Sequence, residues 1–146
     1  MKKKTYSKKS KLSTEKELVM TEDLFKQRQR IISLINEAKQ ILGIQLPWLK
    51  VRIVSYEKTK TLGLCWIEQN WISISEKMVS WDENYLRHVV WHELCHAYFN
   101  TKHQEDCILM NAILTKPGSK EDLVKALKKH AKISNKINKM NERMSA

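Results

Sequence analysis

Glycine and proline are scarce in this chain, three and two among 146 residues. So few turn formers exclude collagen-like, linker-like and turn-dense all-β designs. Cysteine is no commoner: Cys65, Cys95 and Cys107 are odd in number and show no CxxC spacing. That argues against a disulfide scaffold. No apolar run approaches the roughly 20 residues that cross a bilayer, so membrane insertion is not expected. Met1-Lys2-Lys3-Lys4 imitates the start of a signal peptide, but the segment TYSKKSKLSTEKE behind it has no apolar stretch. An intracellular, cytoplasmic protein is the expectation. What the chain does have is 42% apolar residues, enough at this length for one core.

The net charge of +11 sits at the two ends. Residues 1–20 carry seven Lys against two Glu, and residues 116–146 carry eight Lys and one Arg against three acids. The middle holds eleven of each sign. Basic ends attract nucleic acid, an anionic membrane, an acidic protein surface or a large assembly, or they are simply solvated. No aromatic residues interleave with the C-terminal lysines for base stacking, so charge alone names no partner.

Residues 1–20 read as a basic flexible tail and 21–146 as a single domain. A helix is expected from Thr21, with Leu24, Ile31, Ile35, Ala38 and Leu42 on one stripe, Thr21 as its cap and Gly43 as its end. Strands are expected at 49–56, 62–67 and 71–75, the last two forming a hairpin. Val51, Ile53, Ile72 and Ile74 should face a core, and Trp71, Ser73 and Ser75 the other side. Ser80-Trp81-Asp82-Glu83 has the S-x-x-E pattern of a capping box and opens a helix running to about Asn100. After a loop over 101–118, a basic amphipathic helix spans 119–144, its stripe Leu123, Ala126, His130, Ile133, Ile137, Met140 and Met144. The fold class is therefore α+β.

Within the second helix lies His92-Glu93-Leu94-Cys95-His96, an H-E-x-x-H motif. Residues i and i+4 lie one turn apart on one face, so both imidazoles reach one metal ion. Glu93 is about 100° round the axis, off the ligand pair but near enough to take a proton from water activated by the metal. At this composition the pattern arises by chance about 0.01 times per chain. A catalytic zinc site takes three protein ligands. His103 is the best third candidate, provided the helix ends at Asn100 in the left-handed conformation and the chain doubles back. Glu121, early in the last helix, and Cys107 are the alternatives. His88 reads as a surface histidine, with orientation of a ligand as the other reading. His130, Cys95, Trp91 and Tyr98 read as packing.

The run HELCHAYFNTKHQEDCILM resembles the metzincin-type zinc peptidases, H-E-x-x-H-x-x-G-x-x-H followed by a Met-turn. The resemblance implies His92, His96 and His103 as zinc ligands, Glu93 as general base and Met110 as the Met-turn methionine. Here Asn100 stands in for the glycine, and the spacing to His103 is one residue longer. The broader likeness is to a small zincin-like metallopeptidase, which implies a sheet before the metal helix and an edge strand for extended peptide, by analogy Trp71–Ser75. A looser likeness joins the HELCH helix and basic ends to the SprT-like proteases, which act on protein attached to DNA. Their Cys-rich ribbon has no counterpart in this sequence. Small size and lysine-rich ends also resemble phage-encoded zincin-like proteins, implying a non-catalytic or virion-associated module. The leading expectation is zinc-dependent peptide hydrolysis.

Overall fold

The computed structural model describes residues 21–43, 49–55, 63–66, 71–111 and 118–145, without the side chains of 64–66 and 135–145. The expected basic tail over 1–20 and the hairpin loop over 67–70 lie outside these residues. Helix α1 (Glu22–Leu42) begins where Thr21 Oγ1 accepts the Leu24 N–H at 3.1 Å. It ends at Gly43, whose φ of 64° lets its N–H turn back to Lys39 and Gln40. The buried face is Ile31, Leu34, Ile35 and Ala38, with Leu24 and Leu42 packed at its margins.

Three strands follow: β1 (Lys50–Val54), β2 (Gly63–Trp66) and β3 (Trp71–Ser75). Their order is β1-β3-β2, with β1 parallel and β2 antiparallel to β3. The register sets Val51 beside Ile72 and Ile53 beside Ile74, and all four are buried in the main core. On the opposite face the Arg52 guanidinium lies 4.3 Å from the Trp71 ring centroid, a desolvated cation–π contact. Ser73 and Ser75 lie on that face as expected, yet they too are fully buried.

Trp71–Ser75, the strand expected at the peptide-binding edge, is instead the central strand. It pairs in parallel with β1 on one side and antiparallel with β2 on the other, leaving β1 and β2 outermost among the described strands. A parallel neighbour distant in sequence leaves no local signal, so hairpin geometry alone cannot reveal it.

A 3₁₀ turn (Glu76–Ser80) leads to helix α2 (Glu83–Phe99). The cap is Asp82, whose Oδ1 accepts the Tyr85 N–H at 2.7 Å, and not Ser80 as the capping-box pattern suggests. Ser80 serves the preceding turn, its hydroxyl donating to the Lys77 carbonyl. A carboxylate beside the helix dipole is also the stronger acceptor. Helix α3 (Lys120–Ser145) starts after Ser119, whose Oγ accepts the Asp122 N–H. Its buried line is Leu123, Leu127, His130 and Ala131, while Ile133 is 45% exposed. The expected stripe is thus rotated toward Leu127, and Ile137, Met140 and Met144 lie outside the described side chains.

Helices α1 and α2 pack together over the sheet, and α3 packs against both. Trp91, fully buried, donates its indole N–H to the Leu34 carbonyl and so joins α2 to α1. Glu37 joins all three helices, holding Arg87 at 2.7 Å and Lys120 at 3.5 Å. Among the described residues no helix is long and apolar enough to cross a membrane.

Candidate metal centre

Helix α2 carries a heavily buried wall of Leu86, Val89, Val90, Trp91, Leu94 and Cys95. That burial fixes the rotation of the helix and leaves His92 and His96 half-buried at its rim. Their Nε2 atoms are 3.2 Å apart.

The third nitrogen arrives through a reversal of the chain. Asn100 has φ 51° and ψ 34°, the one non-glycine residue with positive φ among those described. The N–H groups of Asn100 and Thr101 both reach the Cys95 carbonyl, which turns the chain back along the helix. Asn tolerates this left-handed conformation better than most residues. Exposed His103 then places its Nε2 3.2 Å from that of His92 and 3.3 Å from that of His96.

The outer nitrogens fix where the ring protons of His92 and His96 sit. His92 Nδ1 lies 2.7 Å from the Leu109 carbonyl and His96 Nδ1 2.6 Å from the Thr101 carbonyl. A carbonyl only accepts, so both Nδ1 atoms carry the proton and both Nε2 atoms are bare lone pairs. Bare acceptors held this close repel one another unless a cation lies between them. A tetrahedral zinc with ligands at about 2.0–2.1 Å sets its nitrogens about 3.3–3.4 Å apart. The residues therefore fit zinc in donor type, number and spacing. His103 is exposed, so this side of the triangle meets solvent.

Glu93 follows His92 and is 7% exposed. It lies against β2, where a Cβ on Gly63 would come within 3.3 Å of both its Cγ and its Oε2. Burial raises its carboxyl to about 8 in the metal-free chain. Burial likewise lowers His92 to about 4, with smaller contributions from the neighbouring histidines. A bound dication favours the ionised carboxylate and would reverse the first of these shifts.

A family profile described as SprT-like matches residues 30–108, more than half of the chain. The chain belongs to the SprT-like family. That family is zincin-like and protease-related. The matched span runs from within α1 through the sheet and α2 to the segment bearing His103. No curated protein and no solved structure matches the chain. Of the two peptidase likenesses in the motif, the family match falls on the SprT-like one and not on the metzincins.

None of the other candidate residues of this SprT-like chain belongs to the histidine triangle. Glu121 is exposed in the first turn of α3. Cys107 turns toward α3, its Sγ 3.3 Å from Nε2 of buried His130. Met110 is fully buried, and its carbonyl accepts the Gln104 N–H. Cys95 is buried, which pushes its thiol well above the usual range. His88, expected at the surface, is 4% exposed and hydrogen-bonded on the inside of the molecule. The carbonyls of Thr101 and Leu109 have no signature in the sequence. His88 did leave one: it is four residues before His92, on the same line of α2.

Proposed function

We propose that this protein is a zinc-dependent metallopeptidase. The observation that carries the reading is the triangle of Nε2 atoms, each 3.2–3.3 Å from the other two and those of His92 and His96 bare, beside a buried glutamate. Membership of a protease-related family supports it. Zinc held there supplies Lewis acidity toward a water molecule and toward the scissile carbonyl. His92 and His96 keep their rings neutral and oriented through their Nδ1–H bonds to backbone carbonyls. Glu93 accepts the proton of the attacking water at its carboxylate and returns it to the leaving amine. Replacing Glu93 by Gln should leave zinc stoichiometric and cut peptide hydrolysis by at least about 10²-fold. Hydrolysis that survives this change sinks the mechanism. Full zinc occupancy with no cleavage of a broad peptide library by the wild type would favour a non-catalytic zincin-like module.

One observation favours a nucleic-acid partner for the same enzyme. Lys125, Lys128, Lys129 and Lys132 are all exposed along α3, in a region that is basic overall. A row of exposed cations attracts a phosphate backbone, which suits a likeness to the SprT-like proteases that act on protein attached to DNA. Cleavage stimulated by single-stranded DNA, and losing that stimulation as salt rises, tests this part separately. The fold and the family match add no observation for a virion-associated role.

A further inference from the structure

A line of side chains spaced by four along α2 grips the backbone that returns past the helix. Asn84 Nδ2 donates to the Gly118 carbonyl. One turn on, His88 Nδ1 accepts the Gly118 N–H at 3.2 Å. His92 donates to the Leu109 carbonyl and His96 to the Thr101 carbonyl. Only the last two of these four residues belong to the metal triangle.

His88 is the rung that joins the two halves of this ladder. Its Nδ1 is engaged by a donor, so that nitrogen is unprotonated and the ring proton sits on Nε2. The backbone of Ile108 and Leu109 lies beside this ring and favours its protonated form, as carbonyl oxygens facing it do. Carbonyls accept, so the Nε2–H is the group of this ring that can meet them. The Leu109 carbonyl is the same group that holds the Nδ1–H of His92. Gly118 permits the approach from the other side: a Cβ there would lie 2.8 Å from Ile108 Cδ1 and 3.3 Å from Leu123 Cδ2. His88 thereby fixes the 108–109 backbone at the height on α2 that His92 needs.

We propose that His88 is a positioning residue for the metal centre, acting through the Leu109 carbonyl on the ring orientation and tautomer of His92. It rests on the metal-site part of the reading above, and does not require that the protein cleave peptides.

The test is the zinc dissociation constant, by chelator competition, of the wild type beside His88→Phe, His88→Gln and Asn84→Ala. The Phe variant keeps volume and loses both bonds; its zinc affinity should fall by about tenfold or more. The Gln variant keeps a donor and an acceptor and should recover most of that loss. Asn84→Ala loosens Gly118 without touching Leu109, so it should lower stability and leave affinity unchanged. Cobalt substitution gives a second readout, with weaker tetrahedral d–d absorption expected in the Phe variant. A folded Phe variant that binds zinc as the wild type does would overturn the proposal. Should that variant not fold, ring nitrogen NMR of the zinc-loaded wild type decides. His88 must be the neutral Nε2–H tautomer, and an Nδ1–H ring overturns the inference. A wild type that binds no zinc would instead remove the metal-site reading itself.

Discussion

At the scale of single residues, two groups in α2 pull the pH dependence of the metal-free protein in opposite directions. Glu93, raised from 4.5 to about 8, keeps a proton that the unfolded chain has shed, so stability present below 4.5 is lost as pH rises through 8. His92, lowered from 6.5 to about 4, stays neutral where the unfolded chain is charged, so stability present above 6.5 is lost as pH falls through 4. From 4.5 to 6.5 the two slopes offset; from 6.5 to 8 the Glu93 slope stands alone and stability falls. Urea denaturation of zinc-free protein between about pH 6 and about pH 8 should show this fall, and Glu93→Gln should flatten it. An equal fall in the Gln variant would mean that burial does not penalise this carboxylate. Asn100 gives a conformational test. Asn100→Val places a β-branched residue at φ 51° and should cost about 1–2 kcal/mol and weaken zinc binding, whereas Asn100→Gly should do neither.

At the scale of elements, the cap of α2 separates two readings of one tetrapeptide. Asp82→Ala should destabilise the protein by about 1 kcal/mol in thermal or urea unfolding, and Ser80→Ala by clearly less. The reverse order would restore the capping box. Much of the architecture was legible because it is local. Thr21 and Gly43 bound α1 through their own backbone preferences, and the i, i+4 histidines with the left-handed tolerance of Asn100 pointed to the site. What was hidden depends on distant chain. The place of β3 between β1 and β2 follows from a parallel pairing with residues about twenty positions away. The buried line of α3 is set by which side meets α2, so Leu127 is covered and Ile133 is not. The burial of His88 needs Gly118 to return to it, which no spacing within α2 announces.

At the scale of the whole molecule, a metal held by the histidine triangle would link its binding to folding. The triangle takes two nitrogens from the most buried helix and one from the exposed segment that follows it. An ion bound only by the native chain stabilises it in proportion to the logarithm of its saturation, about 4 kcal/mol at a thousandfold excess over the dissociation constant. Chelation should therefore lower the thermal midpoint of the wild type by several degrees, and His103→Ala should remove most of that difference. A midpoint insensitive to chelator in the wild type would show that no native metal site forms. The segment is fastened a second time where Cys107 meets His130 on α3, so it is held to both helices at once.

The reversal at Asn100 also bears on how fast an ion could leave. Two of the three donors ride on the buried helix α2, whereas the third lies on the short exposed strap between the left-handed Asn100 and the Cys107–His130 contact. Exchange of the ion should then keep time with the fraying of that strap. Trypsin nicking at Lys102 in the strap would mark the same opening, and the two rates should rise and fall together.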